Sequence, residues 1–89
     1  MSKRRASVTL SGRFAHSQYR RIGDALENVS NLHNSMCTEE RAITMALFSI
    51  STCSTKEELE AIVRRIVGDD VITDLDVAIK EDAHARKSN

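Results

Sequence analysis

Hydrophobic and polar positions along this chain change period several times. Between residues 6 and 11 they alternate, with Ala6, Val8 and Leu10 on one side and Ser7, Thr9 and Ser11 on the other. A period of two predicts a short strand; β-branched Val8 and Thr9 suit it, and Ser11-Gly12 ends it. From Phe14 onward the spacing is helical: Ala15, Tyr19, Ile22, Leu26 and Val29 form one stripe, and the polar run from Ser30 to Ser35 predicts a turn after it. Thr38 reads as an N-cap with Glu39 and Glu40 in the first turn of a second helix. Its apolar stripe of Ala42, Ile43, Ala46, Leu47 and Ile50, widened by Met45 and Phe48, suits a central buried element. After a break at Ser51–Ser54, Ser54 and Glu57 fit a capping box for a helix over 55–67. Leu59, Ile62, Val63, Ile66 and Val67 supply its apolar face, the Glu60 to Arg64 spacing its exposed ion pair, and Gly68 its C-terminal glycine. Asp69-Asp70 then caps a last helical segment through Ile72, Leu75, Ala78 and Ile79, while Val71 and Val77 leave a strand open for part of it. Residues 83–89 read as a disordered tail.

These elements predict a mainly α single domain over 1–89. It consists of a basic flexible arm (1–5), a strand and two helices (6–50) and a C-terminal helical extension (54–82). A lone strand cannot leave its backbone groups unpaired, so the simplest partner is the same strand of a second copy. Size points the same way: a chain of 89 residues without Pro and with only Phe14, Tyr19 and Phe48 as aromatics has little material for a core. The expected assembly is a homodimer or higher homo-oligomer with Val8, Leu10, Ile22, Leu26, Ile43, Ala46, Leu47 and Ile50 in the dimer core.

Charge alters this picture. The formal net charge is zero, with 13 basic and 13 acidic residues, which at first argues against a nucleic-acid binder. The distribution is uneven, however. Residues 1–23 hold Lys3, Arg4, Arg5, Arg13, Arg20 and Arg21 and no acid, whereas all the acidic residues lie from Asp24 onward. A basic N-terminal quarter on a strand suggests contact with nucleic acid or another anionic surface, and the acidic C-terminal half suggests a protein partner.

Candidate chemistry is sparse. The chain has no glycine-rich phosphate loop, no HExxH and no GxSxG, and neither a nucleophile–base pair nor a metal-ligand spacing is found around Cys37, Cys53, His16, His33 and His84. We therefore expect no catalysis, no cofactor and no metal. The apolar run after the basic start is too short for a signal peptide or a membrane span, which predicts a cytoplasmic protein with Cys37 and Cys53 as small buried thiols. Arg4-Arg5-Ala6-Ser7 has the form of a basophilic kinase site and Asn28-Val29-Ser30 that of a glycosylation sequon.

The order of basic start, alternating strand from Lys3 to Ser11 and two amphipathic helices over about residues 3–50 resembles the ribbon-helix-helix family of DNA-binding proteins. The resemblance implies an antiparallel two-stranded ribbon, one strand from each copy, lying in the major groove of double-stranded DNA. It implies base contacts from Ser7, Thr9 and Ser11. Phosphate contacts would come from Lys3, Arg4, Arg5, Arg13, Arg20 and Arg21, and from the helix start at Thr38. With further helices behind it, the arrangement is similar to plasmid-partition adaptors and small phage or plasmid repressors. The first expectation is thus a dimeric DNA-binding regulator, either a transcriptional repressor or a centromere-binding protein. The alternative is a small helical protein-interaction module, an inhibitor or adaptor that does not bind DNA.

Overall fold

The computed structural model describes residues 3–38, 41–68 and 70–80. The chain runs β1 (Arg4–Phe14), α1 (His16–Val29), β2 (Ser30–Cys37), β3 (Ile43–Thr52), α2 (Lys56–Val67) and β4 (Ile72–Ile79). The four strands form one antiparallel sheet in the order β2-β3-β1-β4. Both helices contribute to one core against one face of that sheet, giving two layers with the split βαββαβ connectivity of ferredoxin-like folds.

This overturns the mainly α expectation. β1 is a strand as predicted, but it starts at Arg4, so Arg4 and Arg5 of the expected flexible arm are part of the sheet. Its neighbours also belong to its own chain: Val8 lies opposite Phe48 of β3 on one edge and Val77 of β4 on the other. With both edges hydrogen-bonded, β1 has none left for a strand of a second copy, and no ribbon between chains can form from it.

The segment read as a second helix is β3. From Ala46 on, burial alternates: Ala46, Phe48, Ile50 and Thr52 face the helices, while Leu47, Ser49 and Ser51 do not. The helical stripe was a coincidence of spacing, because Leu47 and Met45 are apolar on the outer face and mask the period of two. β2 replaces the predicted turn; as an edge strand it keeps Asn31, His33 and Asn34 exposed. The supposed extension is integral, since α2 and β4 complete the layer and the sheet. In β4 the alternation Asp74, Leu75, Asp76, Val77 sets a strand, not a helix. The tail at 83–89 and the first-turn acids Glu39 and Glu40 lie outside the described residues.

Of the residues expected in a dimer core, Val8, Leu10, Ile22, Leu26, Ile43, Ala46 and Ile50 are buried within a single chain, joined by Phe14, Phe48, Leu59, Val63, Val67 and Val77. Only Leu47 is left outside. Tyr19 stacks on Phe48 with ring centroids 5.3 Å apart, which fixes α1 over the β2–β3 half of the sheet.

Local chemistry sets the element ends. The cap of α2 falls one residue later than the sequence suggested: Thr55 Oγ1 accepts from Glu58 N–H at 3.2 Å, and Glu58 Oε1 accepts from Thr55 N–H at 2.8 Å. At its far end Gly68, at φ +89°, donates its N–H to the Arg64 carbonyl at 2.9 Å, a stop of the kind foreseen. α1 passes into β2 without a loop. Its last carbonyls are met by hydroxyls instead: Ser30 donates to Leu26 O, and Thr52 donates to Val29 O at 3.4 Å. Ser30 and Thr52, paired across β2 and β3, are the buried polar residues of the described chain.

The glycines give opposing predictions. At Gly12, where the β1–β4 register shifts, an added Cβ would collide with the carbonyl oxygen of Val71 and come within 3.2 Å of Ile72 Cα, both rigid backbone. Gly12→Ala should therefore lower unfolding free energy by about 1–3 kcal/mol. In α1, a Cβ on Gly23 meets only Leu32 and Phe48 side chains at 3.9 Å, so Gly23→Ala should raise stability by up to about 1 kcal/mol. Urea unfolding of the two variants beside wild type checks both signs.

Candidate interaction face

A sheet with both helices on one side leaves its other face uncovered, and the cross-strand register assigns each residue on it. Reading from β2 through β3 and β1 to β4, the first row holds Asn31, Ser51 and Arg5, with Lys80 beside them through its N–H donated to Arg5 O at 2.8 Å. Asn34, Ser49, Ser7 and Ala78 make the second row, and Met36, Leu47, Thr9 and Asp76 the third. The fourth holds Met45, Ser11 and Asp74.

Two properties of the face follow from this layout. The first is an apolar cluster at one end: Met36 is 55% and Met45 51% exposed, with half-buried Leu47 between them. With Thr9 and Thr38 they line a groove of about 350 Å³. The second is a charge gradient along the strands. Lys3, Arg5 and Lys80 sit at the first-row end, Lys3 reaching Asn31 Oδ1 at 3.1 Å, while Asp74 and Asp76 occupy β4 towards the opposite end.

The edges beside this face are guarded. β2 carries a bulge between Leu32 and Asn34, where the extra residue His33 places its Nε2 2.6 Å from Ser51 Oγ. β4 bears the charges of Asp74 and Asp76. Bulges and charges both discourage pairing with another strand, so the face, not an edge, is the open surface of the sheet.

The residues expected to contact DNA are dispersed by this fold. Ser7, Thr9 and Ser11 do share one surface, half-buried at the centre of the sheet. Lys3 and Arg5 lie at its end, and Arg4, one residue out of phase, points to the other side of β1. Arg13 is at the far end of the same strand, about 27 Å from Arg5 at the usual rise per residue. Arg20 and Arg21 are exposed on α1, in the other layer. Thr38 caps no helix: its Oγ1 accepts the Thr44 N–H at 2.9 Å and its own N–H donates to Met45 O at 3.1 Å, closing the β2–β3 hairpin.

Other motifs are likewise absorbed by the fold. Ser7 of the kinase-like motif sits mid-strand in the sheet interior, and the Ser30 hydroxyl of the sequon is buried on α1. Cys53 is exposed and Cys37 half-buried, which corrects the expectation of two buried thiols. Among the described residues no group of three or more His, Cys, Asp or Glu could hold a metal, and no helix is long and apolar enough to cross a membrane.

What sequence reasoning missed was the role of Met36, Met45 and Leu47. Met45 and Leu47 fit the apolar stripe of a buried helix, and Met36 follows a polar run too uniform to show a period. Their true placement has a measurable consequence. Met45→Lys should change unfolding free energy by no more than about 0.5 kcal/mol, as for an ordinary surface position. Phe48→Ala, three residues on and facing the core, should cost about 3–5 kcal/mol. Denaturant titration of the two variants distinguishes the open face from the core.

No protein-family model matches this chain, and comparison with curated proteins finds no relative.

Proposed function

We propose that this chain is a protein-interaction module that docks a protein partner on its uncovered sheet face. The observation that carries the reading is the cluster of Met36, Met45 and Leu47, large apolar side chains held on rigid strands outside a core that is otherwise closed. Exposed apolar clusters rimmed by polar residues mark docking sites, and methionine adapts its shape to a partner at small cost. The polar rim here is Asn34, Ser49, Thr9 and Thr38.

A nucleic-acid reading finds less support in the same geometry. The ribbon it required is absent, because β1 is a central strand. Open sheets that bind single strands stack bases on aromatic side chains. In this chain Phe14 and Phe48 are buried in the core and Tyr19 stacks against Phe48 on the helix side. The six basic residues of the N-terminal quarter are split between the two ends of β1 and the helix layer.

The reading includes a cytoplasmic setting. Cys37 ends β2 opposite Ala46, and Cys53 follows the last residue of β3, seven positions on from Ala46 and about 24 Å away at the usual strand rise, far beyond disulfide reach. Thiols kept apart in this way suit a reducing compartment.

A photo-crosslinking amino acid tests the proposal directly. Placed at position 45 in cells that make the protein, it should give a discrete protein adduct; placed at position 61, exposed on α2, it should give none. Adducts of equal yield from both positions, adducts to nucleic acid, or no adduct from position 45 would overturn the reading.

A further inference from the structure

The four rows of the open face are complementary to one another when the strand direction is reversed. Bulk is concentrated in the third and fourth rows, at Met36, Leu47 and Met45, while the first and second rows are small or polar at Asn34, Ser49, Ser51, Ser7 and Ala78. Charge on the four rows follows the same division: Lys3, Arg5 and Lys80 at the first row, Asp74 and Asp76 in the fourth and third, with Arg13 beyond the fourth row at the end of β1.

A two-fold axis lying between two such faces, perpendicular to the strands, exchanges the first row with the fourth and the second with the third. It stacks Leu47 over the partner's Ser49, Met45 over the partner's Ser51 and Met36 over the partner's Asn34, so that large side chains meet small ones. The same operation sets Asp74 against the partner's Lys80, with the partner's Arg5 one strand away. Each contact occurs twice, as an isologous interface requires.

From this we infer that the partner on the open face is a second copy of the chain, packed sheet to sheet with each strand over its own counterpart and running in the opposite direction. The inference rests on the docking reading above and names its occupant. Sheets stacked face to face sit about 10 Å apart with their strands within about 30° of alignment, which the right-handed twist of each sheet produces.

Area sets the strength. Four strands at the usual spacing, over the length of the four rows, present roughly 500 Å² per copy. The total of about 1,000 Å² is at the lower limit for a specific interface. The dimer is therefore expected to be a weak, reversible one. Nor is it needed for folding, since the core closes within one chain.

Sedimentation velocity on the full chain over a wide concentration range reads the equilibrium. Wild type should pass from monomer to dimer, and Leu47→Asp should remain monomeric. The charge layout allows a sharper test. Reversal of the basic end (Arg5→Glu with Lys80→Glu) and reversal of the acidic end (Asp74→Lys with Asp76→Lys) should each weaken self-association at least about tenfold. A one-to-one mixture of the two variants should restore a dimer, because each now offers the charge that the other lacks, and added salt should weaken that dimer by screening. All these positions lie on the open face, and circular dichroism verifies that each variant is folded.

A wild-type chain that stays monomeric to millimolar concentration overturns the inference. So does a dimer indifferent to Leu47→Asp, or a mixture that fails to reassociate. The two levels separate cleanly. A monomeric chain whose position-45 crosslink captures a different protein removes the self-association and leaves the docking reading in place, whereas no crosslink at all removes both.

Discussion

Hydrogen bonding of β1 on both of its edges is the constraint from which the rest of this molecule follows. Because β3 and β4 flank it, the basic N-terminal segment becomes the centre of a sheet, and Ala6, Val8 and Leu10 become the floor under both helices. Everything else is arranged around that floor. Ile22 and Leu26 of α1 and Leu59, Val63 and Val67 of α2 close over it, which confines the helices to one layer and leaves Ser7, Thr9 and Ser11 on the side with no cover. The open face is thus a result of where β1 sits, and not of any special feature of its own residues.

How much of this was legible depended on whether one face of an element was unambiguously wet. The first strand, α1 and α2 could be read because their polar sides are truly polar: Ser7, Thr9 and Ser11 on one, charged residues on the others. β3 could not. Leu47 and Met45 stand where an outer face would ordinarily be polar, and with Ile43, Ala46 and Ile50 they imitate a helical stripe. The features that concealed the strand are those that make its outer face a candidate for docking. β2 was hidden for the opposite reason, since Ser30, Asn31, Asn34 and Ser35 at an edge give too little apolar contrast to show a period. In β4 the Asp74–Val77 alternation was present but short, and the helical spacing of Ile72, Leu75, Ala78 and Ile79 competed with it.

Charge was the other partial guide. Divided by sequence position, the chain is a basic quarter followed by an acidic remainder. Divided by the fold, Lys3, Arg5 and Lys80 lie at one end of the open face and Asp74 and Asp76 towards the other, with Arg13 at the far end of β1, while the mixed charges of α1 and α2 belong to the other layer. Only the second division has physical meaning, because screening limits charges to acting on near neighbours in space. The sequence asymmetry pointed to an anionic partner, while the spatial one describes a surface that carries both signs at opposite ends.

The position of β1 also bears on how the chain comes to be folded. Ala6 lies opposite Ile50 on one edge and Ile79 on the other, so β1, made before both of its neighbours, has its second edge satisfied only when β4 arrives. Contacts this distant in sequence close slowly, and until β4 arrives one edge of the central strand is open to any other strand nearby. A nascent or truncated chain ending before Ile72 is therefore a different object from the finished protein: an incomplete sheet whose central strand offers an unguarded edge to other strands.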